Sequence, residues 1–174
     1  MFKSLLTIFV FMFVFDIALS HGPSRQKVSL TIDINAPAEK VWQIISNFQE
    51  FKWNAGVKES KTNSNEVGSE RVINFKDGGT IKQKLEKVNP EKMMVSWRVI
   101  ETDNKVLPVN SYASKLFVKA DGDNKTSVTY KSGFYRGFMG NDPPPELNDE
   151  NSKKKVQEFI EGNLKGLKKI AESN

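Results

Sequence analysis

Val156-Gln157-Glu158-Phe159-Ile160-Glu161-Gly162-Asn163-Leu164-Lys165-Gly166-Leu167-Lys168-Lys169-Ile170-Ala171 is the stretch whose reading decides the architecture. Val156, Phe159, Ile160, Leu164, Leu167, Ile170 and Ala171 recur at helical spacing and form one apolar stripe. Lys153, Lys154, Glu158, Glu161, Lys165, Lys168 and Lys169 lie mostly off it, with Glu161 and Lys168 at its edge. One long amphipathic helix therefore ends the chain, and its stripe needs a broad apolar surface to cover. Asn163 is the one polar residue near the middle of the stripe. Gly162 and Gly166 stand four apart on one flank, each at a cost of about 1 kcal/mol against Ala. They serve close packing or cavity space, or are tolerated at the surface.

Upstream residues supply that surface. Val28-Ser29-Leu30-Thr31-Ile32-Asp33-Ile34 alternates apolar and polar residues with period two, the pattern of a half-buried strand. In Asn35-Ala36-Pro37-Ala38-Glu39, a proline suited to a first helical turn and an acidic residue behind it start a helix. Val41, Trp42, Ile44, Ile45 and Phe48 follow at helical spacing. Phe51 and Trp53 extend the apolar content into a second short helix, ended by Asn54-Ala55-Gly56.

From Val57 the pattern returns to strands. Arg71 to Lys76 turns at Asp77-Gly78-Gly79, and Thr80 to Val88 turns at Asn89-Pro90-Glu91-Lys92. Met93 to Glu101, Val109 to Ala120 and, after Asp121-Gly122-Asp123-Asn124, Thr126 to Phe134 follow. Residues 137–150 contain Pro143-Pro144-Pro145 and read as a stiff extended connection. The order is strand, two helices, a run of strands, then a long helix. That is an α+β domain, a curved antiparallel sheet with one apolar face that only the terminal helix is long enough to cover.

The N-terminus decides the compartment. Lys3 precedes an apolar run, Leu5 to Phe15, broken only by Thr7; Asp16 ends it, and Ala18-Leu19-Ser20 offers small residues at the positions a signal peptidase reads. A secretory signal peptide over residues 1–20 is expected, cleaved after Ser20, giving a periplasmic or secreted protein. The run falls short of the ~20 residues a membrane span needs, so no stable insertion is expected after cleavage. Residues 21–26 read as a flexible leader and 27–174 as a single domain. With no Cys in the chain, disulfides and thiolate catalysis are excluded. The net charge of +5 survives cleavage, because Lys3 and Asp16 leave together. It reads first as a well-solvated Lys/Glu surface, and would also suit an acidic partner or an anionic membrane surface. Lys alternates with Glu and forms no basic face, which together with export argues against nucleic acid as a partner.

The opening Ile34-Asn35-Ala36-Pro37-Ala38-Glu39-Lys40-Val41-Trp42 resembles the SRPBCC superfamily (START-like, Bet v 1-like, polyketide cyclase/dehydrase type). So do Gly68-Ser69-Glu70-Arg71, Asp77-Gly78-Gly79-Thr80-Ile81, Leu85-Glu86-Lys87-Val88 and Leu107-Pro108-Val109-Asn110-Ser111-Tyr112. Within the superfamily the chain is most similar to exported MxaD-type accessory proteins of methanol oxidation. The resemblance implies a helix-grip fold, the sheet wrapping the terminal helix around an apolar cavity. It further implies an apolar small-molecule ligand, with a periplasmic methanol dehydrogenase and its c-type cytochrome as partners. Two departures weaken an enzymatic reading. Many cyclase-type relatives have a Glu in the segment corresponding to Thr80 to Leu85, where this chain has Gln83, and several have a Trp-His-Pro-like segment where this chain has Lys52-Trp53-Asn54.

The residue inventory agrees with a binder. The only histidine, His21, is the predicted first mature residue, and a copper brace needs a second one, so neither a metal nor another cofactor is expected. General acid/base work would fall to Arg71, Gln83, Glu86, Arg98, Tyr112 or Tyr130 turned into the cavity. Alternation puts Gln83 inside with Ile81 and Leu85, and Glu86 outside. It also turns Tyr112 and Tyr130 inward, where their hydroxyls need partners. Cavity candidates are thus Trp42, Phe51, Trp53, Arg71, Gln83, Trp97, Tyr112, Tyr130, Phe159, Asn163 and Leu167, in a cavity with few polar groups. The alternative is a cyclase or lyase using Tyr112, Tyr130, Arg71 or Glu86; a third reading is a docking protein for an acidic partner.

Overall fold

Alternation along β7 (Thr126–Arg136) sends Thr126, Val128, Tyr130, Ser132, Phe134 and Arg136 into the protein and the residues between them toward solvent. The computed structural model describes residues 22–62 and 64–173. The expected signal segment, its expected cleavage point and His21 lie outside the described residues. The remaining strands are β1 (Gln26–Ile34), β2 (Val57–Lys61), β3 (Glu70–Phe75), β4 (Thr80–Asn89), β5 (Met94–Thr102) and β6 (Val109–Ala120). With β7 they form one antiparallel sheet in the order β1-β7-β6-β5-β4-β3-β2. Neighbours from β2 to β7 are joined in sequence, with Gly78 and Gly122 at positive φ in two of the turns. Strand β1 pairs instead with the last strand, from Gln26 opposite Phe134 to Ile34 opposite Thr126. It begins at Gln26, whose side chain donates to Asp149 at 3.1 Å.

Bulges bend the sheet and re-aim side chains. In β6 the register shifts between Asn110 and Ala113, where Ser111 has φ of 49°, so Val109 and Tyr112 are both buried although three residues apart. In β4 the register shifts beside Gln83 and again before Lys87.

Helix α1 (Ala38–Ser46) buries Val41, Trp42 and Ile45, and α2 (Asp149–Glu172) buries Ser152, Val156, Phe159, Ile160, Asn163, Leu164, Leu167 and Ala171. Each large apolar side chain so covered contributes about 2 kcal/mol. Asn148 caps α2 by accepting from the Asn151 N–H, and Asp149, Glu150 and Lys169 complement its dipole.

Two expectations are corrected. No second helix follows α1; residues 47–56 run as turns and bends. The Asn47 side chain accepts from the Gln49 N–H, and Asn54 accepts from the Gly56 N–H, local bonds that compete with helix formation. The proline segment is not wholly extended either, because Pro145 opens a single 3-10 turn, Pro145–Leu147. The connection from β7 to α2 is fixed by buried Arg136. Its guanidinium donates to Phe138 O at 2.8 Å, Gly140 O at 2.6 Å and the Asp149 carboxylate at 2.8 Å.

Candidate functional site

A transverse row of side chains crosses the inner face of the sheet beneath α2. Arg71 on β3 stands directly opposite Gln83 on β4. Trp97 on β5 is opposite Ser114 on β6, and Ser114 is opposite Ser132 on β7. Tyr112 and Tyr130 flank the row, their hydroxyls 3.3 Å apart. From above, α2 adds Asn163, and the 47–56 segment adds Phe51 and Trp53. The sheet register therefore sets the spacing of this group, and α2 closes it.

Aromatic rings form the walls. Phe51 and Trp53 have centroids 4.8 Å apart, Trp53 and Trp97 meet edge to face at 6.2 Å, and Trp97 and Tyr130 do so at 6.0 Å. The Arg71 guanidinium lies over Phe48 at 4.1 Å, Phe51 at 4.5 Å and Trp97 at 5.5 Å. It donates to Phe48 O at 3.1 Å and to the Gln83 side-chain oxygen at 2.5 Å. Burial pulls its pKa down to about 9, with neighbouring Tyr130 opposing that fall, so it is charged at neutral pH. Burial pushes both tyrosines up, Tyr112 further, with Tyr130 beside it. At neutral pH they are phenols that donate hydrogen bonds and cannot act as bases.

The 47–56 segment lies close against α2. A Cβ at Gly166 would stand 2.1 Å from the Trp53 carbonyl oxygen, whereas one at Gly162 would meet Asn54 at an ordinary 3.7 Å. Of the two readings of this glycine pair, close packing holds at Gly166. Asn54 Nδ2 then donates to Asn163 Oδ1 at 2.6 Å, fastening the segment to the helix. A surface cleft of about 370 Å³ between α1, α2 and this segment reaches Trp53, and one of about 440 Å³ on its other side reaches Phe51. The segment thus separates the aromatic wall from two outside clefts.

Eight of the expected residues come together here: Phe51, Trp53, Arg71, Gln83, Trp97, Tyr112, Tyr130 and Asn163. Trp42, Phe159 and Leu167 are buried in the surrounding apolar core instead, Phe159 against Phe75 at 6.3 Å. Glu86 and Arg98 face solvent and pair with each other at 3.5 Å. The interior is also more polar than expected. Trp53 Nε1, Arg71 Nε, Gln83 Nε2, Trp97 Nε1, Ser114 Oγ and Asn163 Nδ2 are buried without a hydrogen-bond partner. Ser114 sits beside both tyrosine hydroxyls, yet its Oγ finds no partner at bonding geometry.

Sequence reasoning passed over three contributors. Phe48 was assigned to helix packing, yet its carbonyl and ring both hold Arg71. Asn54 reads as a helix stop and as part of the Lys52-Trp53-Asn54 departure, neither of which marks it as the tie to Asn163. Ser114 was visible as an inward position by alternation, though nothing marked it as unpartnered.

Residues 25–172 match the family described as polyketide cyclase / dehydrase and lipid transport. No curated protein matches the chain. Among solved structures, the XoxI protein of Bacillus cereus is similar with a TM-score of 0.69 at 23% identity, over 83% of this chain and 94% of its own. The Zhui aromatase/cyclase of a Streptomyces species gives 0.72 at 15% identity, over 86% and 94%. Norcoclaurine synthase of Thalictrum flavum, in complex with dopamine and hydroxybenzaldehyde, gives 0.66 at 16% identity, over 98% and 96%. At these identities the likeness is one of fold.

Proposed function

The chain belongs to the polyketide cyclase/dehydrase and lipid-transport family, and from that premise we propose that it is a non-catalytic binding protein. It encloses one small, largely apolar molecule against the Trp53–Trp97–Tyr130 wall, beneath α2. The observation that carries this reading is that buried polar atoms without a partner lie on and beside an aromatic wall. A group whose only purpose was packing would have those atoms satisfied or replaced by apolar ones. Binding is favoured over catalysis because the ionisable members, Arg71, Tyr112 and Tyr130, offer no base at neutral pH. Norcoclaurine synthase holding two small aromatic molecules supports a fold of this kind taking such ligands.

Native mass spectrometry of the protein purified from its own source, followed by solvent extraction, tests this. A reproducible extra mass released as an organic compound is expected. A clean protein mass, together with no binding by any hydrophobic probe, would remove the reading. Rapid turnover of the released compound, abolished in Tyr112→Phe or Tyr130→Phe, would replace it with the cyclase or lyase alternative.

A finer role is export followed by service as an accessory to methanol oxidation, assisting a dehydrogenase and its c-type cytochrome. It is supported by the MxaD-like segments, the signal-like N-terminus and the net charge of +5. That charge suits docking to an acidic cytochrome, and such association weakens steeply with salt. Salt-independent association, or a retained N-terminus in the cell-fractionated protein, would count against it.

A further inference from the structure

Five of the six unpartnered atoms are N–H donors, and only Ser114 Oγ can accept. The hydrogen bonds settle which way the amides point. Gln83 must turn its oxygen to the Arg71 guanidinium, which aims its NH2 away. The Asn54 oxygen accepts from Gly56, so its NH2 faces Asn163 Oδ1 and turns the Asn163 NH2 toward the Tyr130 hydroxyl, where it falls short of full bonding geometry. The interior thus has a surplus of donors and a shortage of acceptors.

A charge imbalance lies in the same place. Arg71 is 1% exposed, and its two hydrogen-bond acceptors, a backbone carbonyl and an amide oxygen, are both neutral. Among the described residues no carboxylate lies within ion-pairing distance of it. A buried cation is stable when an anion meets it, and excess donors are satisfied by oxygen atoms that only accept. A carboxylate supplies both, with one charge and several acceptor lone pairs.

Resting on the binding reading above, we infer that the enclosed molecule is an organic acid, an apolar body ending in one carboxylate that pairs with Arg71. The aromatic wall covers the body, and Arg71 Nε with the Gln83 amide and the Trp97 indole faces the head group. A single guanidinium matches a single negative charge. A phosphomonoester, with close to two, would leave negative charge buried and unpaired.

Matched probes differing only at the head group separate these possibilities: decanoate, decanol and decyl phosphate, with 2-naphthylacetate and 2-naphthylethanol as an aromatic pair. Binding is read on the purified protein by calorimetry and by tryptophan emission, since Trp53 and Trp97 line the site. Each acid is expected to bind at least about tenfold more tightly than its alcohol, the size of one buried charge-assisted contact. In Arg71→Met that preference should disappear while alcohol binding persists. In Arg71→Lys part of it should remain. If Arg71→Met fails to fold, the acid–alcohol comparison in the unmodified protein decides alone.

Alcohols binding as tightly as acids would overturn the acid assignment and leave the binding reading standing. Decyl phosphate binding more tightly than decanoate would overturn the carboxylate and make the head group a phosphate. Failure of every probe, with no compound recovered by extraction, would remove both this inference and the reading beneath it.

Discussion

Arg71 and Arg136 are buried to nearly the same degree, 1% and 5% exposed, and are held in opposite ways. Around Arg136 the chain brings two backbone carbonyls and the Asp149 carboxylate, all at 2.6–2.8 Å, so charge and donors are answered together. Around Arg71 it brings one carbonyl, one neutral amide oxygen and three aromatic faces, and leaves Nε–H unanswered. The first arrangement is a joint, locking the β7 connection to the start of α2. The second is unfinished by the chain's own atoms, which is what a binding site requires. Burial of an ionic side chain therefore says little about its role until its acceptors are counted.

The largest test of that contrast is at the joint. Arg136→Met leaves two carbonyls and one Asp149 oxygen without their donor, Gln26 keeping the other oxygen, and should cost about 3 kcal/mol, somewhat discounted because Asp149 is partly exposed. The midpoint of urea unfolding measures it, with faster amide exchange through residues 137–149. Gly166→Ala comes next. Its Cβ would collide with the Trp53 backbone and should cost about 2 kcal/mol. A red shift of tryptophan emission would report the 47–56 segment lifting from α2.

Arg71→Met should behave in the opposite sense to Arg136→Met, raising the stability of the ligand-free protein by about 1 kcal/mol. pH sharpens this. The folded-state pKa of about 9 lies well below that of a free guanidinium, so above about 9 the unfolded chain holds more protons and stability climbs with pH. Below about 9 the full cost of the buried charge is present. That climb should be absent from Arg71→Met when the two proteins are compared across the same range. If Arg71→Met instead lost as much stability as Arg136→Met, the two arginines would be equivalent and the contrast would fail. Tyr112→Phe is the smallest effect, below about 1 kcal/mol, because it removes one 3.3 Å hydrogen bond and leaves the ring in place.

Much of this was legible in advance because it follows from periodicity. The stripe of α2 buries Val156, Phe159, Ile160, Leu164, Leu167 and Ala171 as its spacing requires. Period two placed Gln83 inside and Glu86 outside, and turned Tyr112 and Tyr130 inward. The 47–56 segment was misread because Phe48, Phe51 and Trp53 satisfy a helical pattern that Asn47 and Asn54 undo with their own side-chain bonds. No periodicity carries that competition. The neutrality of the Arg71 surroundings was half legible. Gln83 stood out as an amide, but its position opposite Arg71 is a matter of strand register, which the sequence does not spell out.

The pairing of β1 with β7 also bears on how fast the molecule assembles. Every other strand partner is joined to its neighbour by a local connection, but Gln26 must find Phe134 across most of the chain. Loop-closure entropy of that size is recovered only when the last strand is laid down, so the rate-limiting barrier should include the β1–β7 zipper. Until it closes, Val28, Leu30, Ile32 and Ile34 have no partner strand, and the polypeptide is at its most vulnerable to self-association. Refolding on the millisecond-to-second scale of nonlocal β topologies follows from that connectivity.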